Sequence, residues 1–176
     1  MKNLLPLIVL FPFVFFNCSS SDDGDPDSVA FDANFEVTLT GDASRSLNGE
    51  AFFLHAIVSS RGDDENGSVL TVTLTNDADE DEAITLYIVT TDDTDGVNTG
   101  TYTIELEPED ENTYASLGAF IKEGNTIFLG TSGSITISRL QNDEVEGSIS
   151  AVLDDQTGTT INISGEFKAS GITERI

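Results

Sequence analysis

From Phe35 onward the apolar residues of this chain recur at every second position, the period that sends alternate side chains to opposite faces of a β-strand. Val72 and Leu74 alternate with Thr71, Thr73 and Thr75. Ile135 and Ile137 alternate with Thr136 and Ser138, and Ile161 and Ile163 with Thr160, Asn162 and Ser164. No segment keeps the three-to-four spacing of an amphipathic helix, so the pattern predicts an all-β chain. The expected strands are residues 35–40, 51–59, 69–75, 84–90, 101–106, 116–122, 126–130, 134–140, 144–153 and 159–168. Between them lie clusters of Gly, Asp and Asn, the residues that turn chemistry favours. Glu123-Gly124-Asn125 and Asp154-Asp155-Gln156-Thr157-Gly158 read as hairpin turns, and the last three long strands read as a meander. Residues 51–58 are apolar on both faces, as 84–89 are in part, which marks these two as central strands covered on both sides. An antiparallel β-sandwich of about nine or ten strands accounts best for the mixture, with barrel-like closure as the alternative.

The first eighteen residues follow another pattern. Lys2 precedes an unbroken apolar run, residues 4–16, that contains Pro6 and Pro12 and ends at Asn17-Cys18. Spanning hydrocarbon takes about 20 apolar residues, so this shorter run reads as a signal peptide rather than a transmembrane helix. Cys18 is the only cysteine of the chain, and Ser19-Ser20-Ser21-Asp22-Asp23-Gly24-Asp25 follows it directly. A cysteine between a signal peptide and a polar tether has no fold around it to bury it. Cleavage there exposes its amine, and the thiol becomes the site of lipidation. The expected organisation is a signal peptide at 1–17, a lipidated cysteine with a Ser/Asp-rich tether at 18–30, and one domain at 31–176. Each buried methylene of an acyl chain contributes about 0.8 kcal/mol, so two or more chains give stable residence. The membrane is then a partner through the anchor.

The lipobox ending at Cys18, followed by Ser21-Asp22-Asp23, resembles the export signal of surface lipoproteins of the Bacteroidota. The resemblance implies that Ser19, Ser20, Ser21, Asp22 and Asp23 direct the protein across the outer membrane, where its domain faces the exterior. Asp27-Ser28-Val29 matches a short pattern that carries glycans on hydroxyl oxygens in the same bacteria, with Ser28 as acceptor. Over about the last eighty residues a second resemblance runs through Gly100-Thr101-Tyr102, Thr113-Tyr114-Ala115, Ser134-Ile135-Thr136-Ile137, Val145-Glu146-Gly147-Ser148-Ile149 and Thr160 to Phe167. These look like the strand signatures of small Bacteroidota lipoproteins grouped as a domain of unknown function. The signatures are structural, and they bring no catalytic residue with them.

Charge narrows the partners. The chain holds 32 acids against 7 Lys and Arg, a formal charge of −25. Without residues 1–17 the 176 residues fall to 159 and Lys2 is lost, which takes the charge to −26. Such a field repels nucleic acid and anionic lipid and concentrates cations, so no nucleic-acid partner is expected. Catalysis is not expected either. The single histidine, His55, sits in the most apolar strand, where a core position is the ordinary fate, and neither a second cysteine nor a glycine-rich phosphate loop exists.

No cofactor is expected from the sequence; the one candidate is calcium, which takes six to eight hard oxygen ligands. One acidic loop offers Asp77, Asp79 and Asp81, and a second offers Asp93, Asp95 and Asn98, though neither has the frame of an EF-hand. A calcium-dependent glycan-binding accessory lipoprotein is therefore the alternative to an interaction or envelope module. Against glycan stacking, Trp is absent, and Tyr87, Tyr102 and Tyr114 lie in or beside apolar strands, where core packing is expected. The protein or glycan partner is left unnamed by the sequence.

Overall fold

The computed structural model describes residues 33–42, 44–59, 66–91, 96–105, 113–121, 125–141 and 143–175. Over these residues the chain is all-β, as its alternation predicts. Nine strands follow one another: β1 (Asn34–Gly41), β2 (Arg45–Ser59), β3 (Asn66–Asn76), β4 (Ala83–Thr91), β5 (Gly100–Glu105), β6 (Thr113–Ile121), β7 (Thr126–Leu140), β8 (Glu144–Asp154) and β9 (Thr160–Arg175).

All nine belong to one mixed sheet rather than to two packed ones. Its order, β1-β2-β3-β4-β6-β5-β7-β8-β9, returns to β1 and closes the barrel. Two strands are wedges. β1 lies between β9 and β2 only as far as Asn34, opposite Lys168; beyond it β2 pairs directly and in parallel with β9, from Phe52 opposite Ser170 to Ile57 opposite Arg175. β5 separates β6 from β7 in the other half, whereas residues 118–121 of β6 pair directly with 126–129 of β7. Each half is thus an eight-strand ring, β1-β2-β3-β4-β6-β7-β8-β9 in one and β2-β3-β4-β6-β5-β7-β8-β9 in the other. Eight strands enclose an interior just wide enough for side chains to fill. Phe53, Phe167, Leu39, Leu70, Leu74 and Ile84 are fully buried there, within one continuous apolar core.

Residues 126–130 and 134–140, expected as separate strands, are one strand, β7. Thr131-Ser132-Gly133 has the composition of a turn, but the backbone bends there without reversing. The ladder to β8 shifts register between Gly130 and Ser132, and Gly133 takes φ +124°, a conformation open to glycine because it has no Cβ. The bend lets β7 exchange its β6 partner for β5. β2 begins earlier than expected, because Leu47 is the only apolar inward side chain in its polar first third. The expected meander is present as β7-β8-β9 with antiparallel pairing throughout.

The double covering expected of residues 51–58 and 84–89 is not what the sheet provides. In β2, Ala51, Phe53, His55 and Ile57 point inward, whereas Phe52 and Leu54 on the outer face are 56% and 38% exposed. In β4, Ile84, Leu86 and Ile88 are buried, and Tyr87 and Val89 are half-buried on the outer side. A single closed sheet has one inside, so the second apolar face of each strand has no second layer to meet. The remaining outer positions are mostly polar, as in Thr71, Thr73 and Thr75 of β3 or Asn162, Ser164 and Glu166 of β9. That arrangement is the reverse of a lipid-facing barrel, whose outer band is apolar.

Candidate functional site

The residues singled out at the N-terminus, Cys18, Ser19, Ser20, Ser21, Asp22, Asp23 and Ser28, lie outside the described residues, as do Asp93 and Asp95. The polar chemistry that the structure does describe gathers at the two mouths of the barrel. Both mouths are plugged by side chains that have been turned inward.

At one mouth, Asn76 ends β3 and Glu82 precedes β4, and both are buried. Alternation along β3 sends Leu70, Val72 and Leu74 inward, and Asn76 follows in the same phase. Between them residues 77–81 form a tight turn. Its backbone is closed by the Asn76 N–H donating to the Glu82 carbonyl at 3.0 Å and the Glu82 N–H donating to the Asp79 carbonyl at 2.9 Å. The Asn76 amide Nδ2 donates to Glu82 Oε2 at 2.9 Å, while the Arg45 guanidinium forms an ion pair with Glu82 Oε1. The Glu82 side chain is 3% exposed and that of Arg45 29%. A carboxylate this deep is held by an ion pair and hydrogen bonds, as buried charge requires.

This is the loop expected to offer calcium ligands. Asp77 and Asp81 are exposed; Asp79, half-buried, uses Oδ1 to accept the Asp81 N–H at 3.2 Å. The three carboxylates are not gathered around a common point, and among the described residues no group of three His, Cys, Asp or Glu has the geometry to hold a metal. In the second acidic loop, Asn98 donates from Nδ2 to the Gly96 carbonyl at 3.0 Å. Its N–H donates to the Tyr102 hydroxyl at 3.0 Å, and that hydroxyl donates in turn to the Asn98 carbonyl at 2.8 Å.

At the opposite mouth, His55, Ser68, Thr90 and Val97 are buried together. The Val97 N–H donates to Ser68 Oγ at 2.7 Å, and Ser68 Oγ and Thr90 Oγ1 are 3.1 Å apart, sharing one hydrogen bond. The Gly96 backbone, at φ +78°, lies against this cluster. A Cβ at that position would stand 3.0 Å from Ser68 Oγ and 3.2 Å from His55 Nε2. Only glycine satisfies both the conformation and the space. Val97 then enters the barrel end as its apolar stopper, 1% exposed.

Sequence reading placed His55 in the core correctly, but it missed the neighbouring Ser68. The signal was available, since Ser68 shares the inward phase of Leu70 and Val72, and an inward hydroxyl in a core strand needs a partner. Serine beside histidine invites comparison with nucleophilic catalysis. However, Ser68 is 2% exposed and its hydroxyl oxygen is engaged by the Val97 amide and by Thr90. A nucleophile must reach its substrate. What this arrangement does is seal a barrel end with neutral hydrogen bonds.

Outside the mouths, Arg139 lies 2.6 Å from Glu144 Oε2 and 3.6 Å from Glu146, which also receives Lys168 at 3.8 Å. In the β8–β9 turn, desolvation pushes the Asp155 carboxyl up. Hydrogen bonds donated by the N–H and hydroxyl of Thr157, and by Thr159, outweigh it and hold the group well below the ordinary carboxylate range. Tyr87 and Tyr114, expected in the core, occupy half-buried outward positions. Tyr102 alone packs against the core from its edge.

No known protein family, curated protein or solved structure matches this chain.

Proposed function

We propose that this protein is a lipoprotein held in the outer membrane by acyl chains on Cys18, with its barrel displayed to the exterior as a non-catalytic interaction or envelope module. The observation that carries the reading is the junction at Cys18. A leader of signal-peptide length ends there, the one cysteine of the chain stands at the cut, and a Ser/Asp tether begins. The barrel is compatible with this role in two respects. Its interior is occupied by side chains, which leaves recognition to the outer surface, and that surface is rich in hydroxyls and acids suited to water.

The anchor is tested by Cys18→Ser in the native host. The unaltered protein is expected to fractionate with the envelope and to show, by mass spectrometry, an acylated Cys18 as its first residue. The variant is expected to lose acylation and move almost entirely to the soluble fraction. A variant that stays with the envelope, or an unaltered protein whose Cys18 thiol is free, refutes the anchor. Display is tested separately by protease treatment of intact cells, where deletion of residues 19–23 is expected to protect the barrel by retaining it inside.

A further inference from the structure

Of the large apolar side chains among the described residues, Ile127 of β7 is the most exposed, at 62%. Alternation sets its direction: Phe128 is buried in the barrel, so Ile127 and Leu129 point outward. On the outer face Ile127 stands opposite Phe120 of β6, and Leu129 stands between Gly118 of β6 and Asp154 of β8. Gly118 keeps that row low, since the nearest atom to a Cβ there would be 4.0 Å away. Two turns flank these residues. Asn125 enters β7 at φ +51° and Gln156 stands in the β8–β9 turn at φ +62°, and both residues are exposed. With Asp155 and Thr157 they border an open groove of about 490 Å³, floored by Ile127 and Leu129.

Asp155 gives the groove its charge. Its Oδ1 accepts the N–H groups of Thr157 and Thr159 at 2.8 and 3.0 Å, and its Oδ2 accepts the Thr157 hydroxyl at 2.8 Å. A carboxylate has about four acceptor positions, so one on Oδ2 is left for a ligand. The same bonds fix the group in place and keep it ionised. Among the described residues no lysine or arginine lines the groove. An aliphatic floor beside a fixed carboxylate matches Lys and Arg, whose methylene stems lie on apolar surface while the cation reaches past its edge. The amide oxygens of Asn125 and Gln156 are further acceptors for the remaining N–H donors of such a cation. The formal charge of −25 draws a basic partner to the barrel, and it repels nucleic acid, anionic lipid and a second copy of this chain.

We propose that this groove receives a lysine or arginine side chain of a partner protein, with its stem on Ile127 and Leu129 and its cation against Asp155. The inference rests on the reading of the barrel as an interaction module and names the class of partner, a basic protein segment. It does not rest on the anchor, because the groove belongs to the folded barrel and stands whether or not Cys18 is acylated.

The test uses the mature chain from Cys18 to Ile176, titrated with the peptide acetyl-Gly-Lys-Gly amide or its arginine counterpart and followed by amide NMR. Saturable shifts are expected to gather at Asn125, Ile127, Gln156 and Thr157. A peptide whose lysine is Nε-acetylated keeps the stem and loses the charge, and it is expected to bind about fivefold more weakly, the upper end for an exposed ion pair. Asp155→Asn is expected to weaken the lysine peptide by a similar factor. Because that variant also loses bonds of its turn, the acetylated peptide on the unaltered protein carries the charge test by itself. Ile127→Ser, which removes the floor and leaves every charge, is expected to weaken binding about threefold. Glu50→Gln, an exposed acid outside the groove, is expected to bind like the parent. Shifts spread over the acidic surface overturn the proposal, as does Ile127→Ser binding like the parent. So does an equal response to the acetylated peptide, which marks an occupant chosen by apolar contact alone.

Discussion

The two mouths of the barrel solve the same problem with different chemistry. Where strands end, side chains in the inward phase run out of apolar neighbours, and something polar must face a water-poor interior. At one mouth the solution is charged: Glu82 is buried against Arg45 with Asn76 as a second partner. At the other it is neutral: the Ser68 hydroxyl accepts the Val97 N–H and shares a hydrogen bond with Thr90, beside His55. A charged plug is fixed by partners distant in sequence and costs a great deal to break. The neutral plug uses weaker bonds and depends more on the shape of the backbone it holds.

The contrast is sharpest for Arg45→Ala, which strips the guanidinium from a carboxylate that stays buried. A loss of about 3 kcal/mol is expected by urea unfolding, the low end for a broken buried pair because Arg45 itself is partly solvated. Replacing both partners, Arg45→Met with Glu82→Leu, is expected to recover most of it. If the single variant unfolds like the parent, the charged mouth has been misjudged. Ser68→Ala at the neutral mouth removes the acceptor of the buried Val97 N–H and is expected to cost about 1–2 kcal/mol. Faster amide exchange should be confined to residues 96–98, and a loss as large as that of Arg45→Ala would erase the distinction between the mouths.

The smallest effect belongs to Asp155, in the solvated β8–β9 turn. Its folded carboxyl ionises below the ordinary value, so its contribution is complete above about pH 4 and is lost as the pH falls through the depressed value. Asp155→Asn is accordingly expected to melt slightly below the parent at pH 7, with the gap closing in strong acid. A gap that widens on acidification would reverse the sign.

What the sequence revealed follows from range. Alternation is a local property, so the inward phases of β3, β7 and β9 were legible, and so was the placement of His55. Partner exchange is not local. Thr131-Ser132-Gly133 has the composition of a turn, and only the presence of β5 beside β7 makes it a bend within one strand. Residues 76–82 likewise read as a row of acids available to a cation. The structure turns Glu82 inward to Arg45, which is 37 residues away and carries no local sign of that pairing. Phe52 and Leu54 were read as covered because apolar residues on both faces suggest two layers. A closed sheet supplies one layer, and the surplus stays exposed on its outer face.

The seam between β9 and the two N-terminal strands also sets the timing of assembly. The ring is completed by β9 meeting β1 and β2, so the cylinder cannot shut until strands far apart in the sequence have come together. Contacts spanning nearly the whole sequence slow folding. Without β9, β1 and β8 would be left as open edges of an unclosed sheet.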